Sequence, residues 1–310
     1  MSNKILIISG PTATGKTDLA VKLAQKYNGE LVSTDSCQIY KGLDIGTGKD
    51  QPDQTPIHLV DLITPDQKFS VAQFQQLGLK IIQKLHHQNK LPILVGCSGF
   101  YLDSLINPNY NTFSIKPNKF LRFILSQLSV KTLQKIYKTL DPLGFSKLNN
   151  SDLNNHYRLT RKIEIKLFKH NRHHSISNIK YDILHLSLTA PMSFLYRRID
   201  ARVQKRLNMG FLDEVKNLLK KYNWSHPGLQ IAAYHCLKPY FDYQKSNNNL
   251  SKKKILSDCL KQWSYAEHSD ARRQSCWFRS RAKDAAFFDI TQPNFEKKIN
   301  KLVSQWYTRS

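Results

Sequence analysis

Short apolar runs alternate with amphipathic stretches along the first third of the chain, and turn-forming residues separate them. Ile5-Leu6-Ile7-Ile8 predicts a strand over residues 4–9, and Leu19-Ala20-Val21-Lys22-Leu23-Ala24 predicts a helix over residues 15–27. A second strand is expected over residues 30–34, ending at Asp35-Ser36-Cys37-Gln38. Residues 39–56, rich in Gly, Asp, Gln and Pro, read as loop. Ile57-His58-Leu59-Val60-Asp61 looks like a short strand. Ser70 is placed to cap a helix whose apolar face is Val71, Phe74, Ile81, Ile82 and Leu85. Pro92-Ile93-Leu94-Val95 predicts a buried strand ending in Gly96-Cys97-Ser98-Gly99, with a helix following through Leu105. Strands alternating with helices imply an open, mostly parallel α/β sheet, whose ligands sit at the carboxyl ends of the strands.

The pattern changes near Asn107-Pro108-Asn109, and from there to about Ser177 it predicts helices and polar loops but no strong strand. A helix over residues 156–170 has Leu159, Ile163 and Leu167 on one side. Arg158, Arg161, Lys162, Lys166 and Lys169 gather on the other, with no acid on that side. Residues 183–188 restore a strand, and two amphipathic helices follow, around Leu195, Ile199, Val203 and Leu207, then around Phe211, Val215, Leu218, Leu219 and Tyr222. Residues 227–240 read as one further helix, residues 251–281 as a long one, residues 285–290 as a last strand, and a helix ends the chain. The expected organisation is an α/β core of residues 1–110 and 179–310, interrupted by an all-helical domain of residues 111–178.

Composition adds a partner. Lys and Arg number 47 against 23 Asp and Glu, a net charge of +24 over 310 residues, which favours a polyanion such as nucleic acid. Every apolar run is too short to span a membrane. No leader precedes the first strand, so a cytoplasmic protein is expected. The five cysteines (Cys37, Cys97, Cys236, Cys259 and Cys276) are dispersed without metal-ligand spacing, which fits a reducing compartment. Nothing in the pattern demands more than a monomer.

The chemistry centres on Gly10, Pro11, Thr12, Ala13, Thr14, Gly15, Lys16 and Thr17. A glycine-rich loop between a strand and a helix turns its backbone N–H groups and the helix N-terminus toward a phosphate. Lys16 supplies a charge, and the Thr17 hydroxyl can enter the shell of a Mg2+ ion. The expected fold is therefore a P-loop NTPase-like three-layer core with a parallel sheet, plus the inserted helical domain. Asp35, at the end of the second strand, is placed to accept a proton from a nucleophile. The fourth apolar strand ends in Gly96-Cys97-Ser98-Gly99 and lacks the aspartate that organises magnesium and water in hydrolases, which leaves a kinase or another transferase.

Together these segments resemble the tRNA dimethylallyltransferase (isopentenyltransferase) family. Residues 10–17 match its phosphate loop, and residues 35–47, from Asp35 to Thr47, match its second signature nearly position for position. His58 to Asp61, Phe69-Ser70-Val71 and Phe74 match a third, and Arg158, Arg161 and Glu164 keep the spacing of its Arg-x-x-Arg-Ala-Leu-Glu helix. Tyr196, Arg198-Ile199, Arg202-Val203, Gly210 and Glu214-Val215 follow the next block. Ala271-Arg272-Arg273-Gln274 with Trp277-Phe278-Arg279 match a late one.

The resemblance implies prenyl transfer from dimethylallyl diphosphate to N6 of the adenosine beside the anticodon, in tRNAs reading codons that begin with U, with magnesium on the leaving diphosphate. It implies that Asp35 is the base and that Ser98 replaces the threonine of Gly-Gly-Thr-Gly-Leu-Tyr as a second catalytic residue. It also implies that Asp35, Ser36, Cys37 and Gln38 meet the target nucleotide. From the insertion, Tyr157, Arg158, Leu159, Thr160 and Arg161 would meet the anticodon stem-loop. The chain departs from the family where Thr-Arg precedes the late signature, having Glu267-His268-Ser269-Asp270, and Ala232-Ala233-Tyr234 stands for Ile-Gly-Tyr. Met192 stands where an arginine is common, so the cations expected to join Lys16 on the diphosphate are Arg272, Arg273 and Arg279. A small-molecule kinase or an adenylate isopentenyltransferase remains the alternative.

Overall fold

Alternate residues of the first strand go to opposite sides of a sheet. Ile5 and Ile7 join one buried cluster, Leu6 and Ile8 another. That two-sided burial is what a central parallel strand requires. The computed structural model describes residues 3–49, 55–107, 115, 117–168, 181–243 and 252–309. In chain order the first elements are β1 (Lys4–Ser9), α1 (Lys16–Lys26), β2 (Gly29–Ser33), β3 (Ile57–His58), α2 (Val71–His87), β4 (Leu91–Gly96) and α3 (Gly99–Ile106). Five helices follow: α4 (Lys119–Ser126), α5 (Val130–Leu140), α6 (Pro142–Ser146), α7 (Asn150–Leu153) and α8 (His156–Phe168). The chain continues with β5 (Asp182–Thr189), α9 (Met192–Asn208), α10 (Phe211–Leu218), α11 (Ala232–His235), α12 (Lys238–Tyr243), α13 (Lys252–Arg281), β6 (Ala286–Asp289) and α14 (Phe295–Tyr307).

The chain divides into two compact units, residues 1–106 with 179–310, and residues 107–178. In the first, the strands form one sheet in the order β3-β2-β4-β1-β5-β6, and every pairing is parallel. One face is covered by α1 and α14 through Leu19, Leu23, Ile299, Val303 and Trp306. The other carries Phe74, Leu102, Val203, Phe211 and Trp263 from α2, α3, α9, α10 and α13. Three layers around a parallel sheet are the architecture expected from the sequence.

Ser70 caps α2 as expected, in a reciprocal pair with Gln73. Two elements differ from expectation. The strand at residues 57–61 stops at His58, because Leu59 and Asp61 take left-handed backbone conformations, φ 65° and 53°, that leave the sheet. Residues 227–240 are not one helix. They form a 3-10 turn at Pro227–Gln230, then α11, then the start of α12. Ile231 is extended, and Pro239 has no N–H to continue the ladder.

The second unit contains only helices among its described residues. Asn118, Ser129, Asp141 and Asn149 cap α4 to α7 with their side chains. Leu125, Leu133, Tyr137, Leu159 and Ile163 form its core. The cationic side of α8 is not free of acids, as the linear pattern implied. Glu164, wholly buried, accepts from Arg122 at 2.7 Å, Arg161 at 2.5 Å and the Asn118 N–H at 2.6 Å. Burial pushes its carboxyl up, and these three donors outweigh that and hold it below the ordinary range. Arg158 pairs with Asp152 and Lys166 with Asp141, acids that neighbouring turns supply. Lys169 lies outside the described residues.

His185 of β5 meets the Ser9 hydroxyl at 2.8 Å, and burial pushes its imidazole down to about 4 from an ordinary 6.5. The folded state therefore keeps it neutral where the unfolded chain takes up a proton. Stability from this group is full above pH 6.5 and falls as pH drops toward 4, by on the order of 2–3 kcal/mol. His185→Gln should flatten the fall in thermal midpoint across that window relative to the parent protein, as read by calorimetry.

Candidate active site

Parallel pairing sets the ends of β1, β2 and β4 side by side, so the chain leaving each strand enters the same region. After β1, Gly10 lies so close to β5 that a Cβ would fall 2.3 Å from the Leu188 carbonyl oxygen. Gly15, at φ 81°, turns the chain into α1. Between them the Thr14 hydroxyl donates to the Pro11 carbonyl at 2.8 Å, and Lys16 Nζ lies over the same carbonyl at 2.7 Å. Lys16 is buried, its charge drawn into the loop. Thr12, Ala13, Gly15, Lys16 and Thr17 line a cavity of ≈ 390 Å³, whereas Gly10, Pro11 and Thr14 shape the loop from behind.

Past β2, the Asp35 side chain closes its own turn by accepting the Cys37 N–H on Oδ1 at 2.9 Å. Its Oδ2 receives the Cys97 thiol at 3.2 Å, from the chain leaving β4. Burial pushes the Cys97 thiol well up, and the nearby Asp35 carboxylate adds to the shift. Cys37 is shifted the same way, again first by burial and then by Asp35. Asp35, Cys37, Gln38 and Cys97 belong to the cavity wall. Ser36 and Ser98 do not: Ser98 Oγ accepts the Ser36 N–H and donates to the Ser36 hydroxyl, both at 3.0 Å. The structure thus gives Ser98 a supporting place at the Asp35 turn.

The arginines on the wall come from α9, and Lys16 joins them from α1. Arg198, Arg202 and Arg206 recur every four residues and face the cavity, while Leu195, Ile199 and Val203 face the core. Arg202 donates to the Thr12 hydroxyl at 2.7 Å and pairs with Glu267 of α13. Its Nε is buried without a hydrogen-bond partner, an open donor beside the glycine loop. Arg206 reaches Glu267 at 3.2 Å and the Gly46 carbonyl at 3.1 Å, and Trp263 donates to the same Glu267 oxygen at 2.8 Å. Gln274, one turn or more beyond, accepts the Thr12 N–H at 2.8 Å. Asp270 also lines the cavity; burial raises its carboxyl, Arg273 opposes that, and Glu267 and Asp35 add to it.

Arg272, Arg273 and Arg279, the cations expected from the late signature, are exposed and absent from the wall. Arg272 instead donates to the Tyr196 hydroxyl at 2.8 Å, and Arg273 is drawn to Ser269 and Asp270. The four-residue arginine spacing on α9 is the sequence signal for the arginines that do line the cavity.

In the helical unit, the residues expected to meet nucleic acid divide. Leu159 and Thr160 are buried, so their side chains build the unit's core. Arg161 is held by Glu164 and by the Ile115 carbonyl at 2.8 Å. Tyr157 is exposed, with Arg122 5.7 Å from its ring, and Arg158 is exposed beside Asp152. Among the described residues no three His, Cys, Asp or Glu side chains gather to hold a metal. No helix among them is long and apolar enough to cross a membrane.

The model of the IPP transferase family matches residues 38–281. The chain is 32% identical over 312 residues to the tRNA dimethylallyltransferase of Anoxybacillus flavithermus, covering 98% of this chain and 96% of that one. It is 33% identical over 315 residues to the tRNA dimethylallyltransferase of a Roseiflexus species, covering 97% and 98%. Among solved structures, the full-length tRNA isopentenylpyrophosphate transferase of Bacillus halodurans superposes with a TM-score of 0.70 at 29% identity, covering 98% and 97%. A eukaryotic dimethylallyltransferase captured acting on tRNA has the same fold, with a TM-score of 0.78 at 24% identity, covering 99% of this chain and 79% of that one. The chain belongs to the IPP transferase family.

Arg202→Gln should weaken binding of inorganic diphosphate roughly 10- to 100-fold, the worth of a charge-assisted hydrogen bond. Arg272→Gln should leave it within about twofold, as for a surface contact. Isothermal titration with both variants, each checked for an unchanged thermal midpoint, separates the two assignments.

Proposed function

We propose that this member of the IPP transferase family transfers a dimethylallyl group from dimethylallyl diphosphate to N6 of the adenosine beside the anticodon of tRNA. One observation carries the proposal: a single cavity is lined by the glycine loop with Lys16, by Arg202, and by Asp35. An anion site and a base therefore face one space, as displacement of a diphosphate by an amine requires.

The glycine loop, Lys16 and Arg202 grip the diphosphate and stabilise the charge that grows on it as it leaves. The adenine N6 attacks C1 of the dimethylallyl group, the bond from C1 to the diphosphate oxygen breaks, and the amine proton passes to Asp35. The Cys37 N–H and Cys97 thiol each occupy one lone pair of the carboxylate, which leaves a second on each oxygen. An aromatic amine is a weak nucleophile, so alignment in the cavity carries much of the rate.

Thr17 fits a magnesium site, since it lines the cavity next to Lys16, carries a hydroxyl, and Mg2+ takes most of its remaining ligands from phosphates and water. When bound, the ion would neutralise charge on the departing diphosphate. The net charge of +24 favours tRNA over a free nucleotide, because a large polyanion gains from counterion release along its length. Exposed Tyr157 and Arg158 are the contacts offered by the helical unit. All five cysteines are unpaired, which supports a cytoplasmic setting, and the enzyme is taken to act as a monomer.

Incubating the protein with magnesium, labelled dimethylallyl diphosphate and either bulk tRNA or AMP should move label to tRNA alone. Transfer to AMP would instead establish a free-nucleotide enzyme, and transfer to neither with ATP consumption a kinase. Asp35→Asn should retain tRNA binding and slow single turnovers roughly 10²–10⁴-fold, the usual contribution of a general base. Near-normal turnover would remove Asp35 from that role.

A further inference from the structure

β2 and β4 pair in register, with Ser33 opposite Val95. Two residues further on, the same register sets Asp35 opposite Cys97. Gly96 permits the close approach, because a Cβ there would fall 2.5 Å from the Thr34 hydroxyl oxygen. The Thr34 N–H to the Val95 carbonyl, 2.8 Å, and the Ser98 N–H to the Thr34 carbonyl, 3.2 Å, tie the two chains together on either side. The side chain at position 97 is therefore delivered against the Asp35 carboxylate by the backbone itself.

We propose that Cys97 is a positioning residue for Asp35: its thiol donates to Oδ2 and fixes the plane of the carboxylate. This rests on Asp35 being the base that receives the amine proton. The Cys37 N–H holds Oδ1 and the Cys97 thiol holds Oδ2, so the carboxylate cannot rotate without losing both bonds. A thiol is a weaker donor than a hydroxyl. It restrains the carboxylate, and a serine at the same place would also supply a donor. Burial keeps the thiol protonated, and the Asp35 charge adds to that, so Cys97 stays a donor over the working range and is no nucleophile. The other titratable groups facing this pair are Lys16 from α1, Cys37 of the same turn, Tyr101 from α3 and Asp270 from α13, with Glu267 facing Cys37 and Asp270. None is altered in the variants below.

Single-turnover prenylation of tRNA gives the test. Removing the donor frees the carboxylate to rotate, so Cys97→Ala should slow the turnover roughly 3- to 10-fold. Its KM for dimethylallyl diphosphate should not change. Cys97→Ser, which keeps a donor at the same place, should restore the rate. A merely structural cysteine would slow both variants alike or raise the KM, and equal losses in Cys97→Ala and Cys97→Ser overturn the proposal.

A second measurement does not depend on catalysis. In Asp35→Asn the charge opposing thiol ionisation is gone. Peptide-resolved alkylation of Cys97 by iodoacetamide should then run several-fold faster at about pH 8, with Cys236 as the reference. An unchanged rate overturns the contact. Near-normal turnover of Asp35→Asn would remove the base and this role with it. That outcome is distinct from failure of Cys97 alone, in which Asp35→Asn is slow yet both Cys97 variants keep the parent rate.

Discussion

Parallel pairing of β1 with β4 and β5, and of β2 with β4, brings the ends of distant strands to one edge of the sheet. The chain leaving β1 becomes the glycine loop, the chain leaving β2 becomes the Asp35 turn, and the chain leaving β4 carries Cys97. No side-chain contact needs to recruit these segments, because strand direction has already done so. What side chains add is shape at short range. Gly10 admits the close pass beneath Leu188, and Gly15 turns the backbone into α1 with its N–H groups toward the cavity.

Charge in the cavity is balanced within the protein as well as offered to a ligand. Glu267 stands between Arg202 and Arg206 and also takes the Trp263 N–H. An unopposed pair of guanidinium groups at this depth would be costly, and a shared carboxylate offsets part of that cost. It does not exhaust them, since Arg202 keeps its Nε open. The helical unit solves a related problem differently. Glu164 is wholly buried because two arginines and a backbone N–H converge on it, so residues that looked in sequence like a cationic face are partly internal structure.

What could be read in the sequence was what is local. The strand, glycine loop and helix of residues 4–26 lie contiguous in the chain, and so do the Asp35 turn and the Ser70 cap, so their patterns identify them directly. The three-layer core follows from strands and helices in alternation. What sequence misplaced depends on partners far along the chain. Leu59 and Asp61 leave the sheet by their backbone conformation, and Ser98 serves the Asp35 turn across 62 positions. The arginines near the late signature are exposed and engaged elsewhere, Arg272 with the Tyr196 hydroxyl and Arg273 with Ser269 and Asp270. Those of α9 reach the cavity, at a four-residue spacing that was visible but was absorbed into the family block.

Helix α13 supplies three separate contacts from one rigid rod: Trp263 and Glu267 to the arginine pair, Asp270 to the cavity wall, and Gln274 to the Thr12 N–H. Each residue along a helix turns the next by about 100°. Adding or deleting a single residue between Trp263 and Gln274 would swing everything beyond it about a quarter of the way round, and no rotamer change could bring the glycine loop and the arginines back to their partners together. The exposed face of α13 can accept substitution freely, but its length in that interval cannot drift. The helix behaves as a ruler for the cavity, and a change of register is the one alteration that none of its individual contacts could absorb.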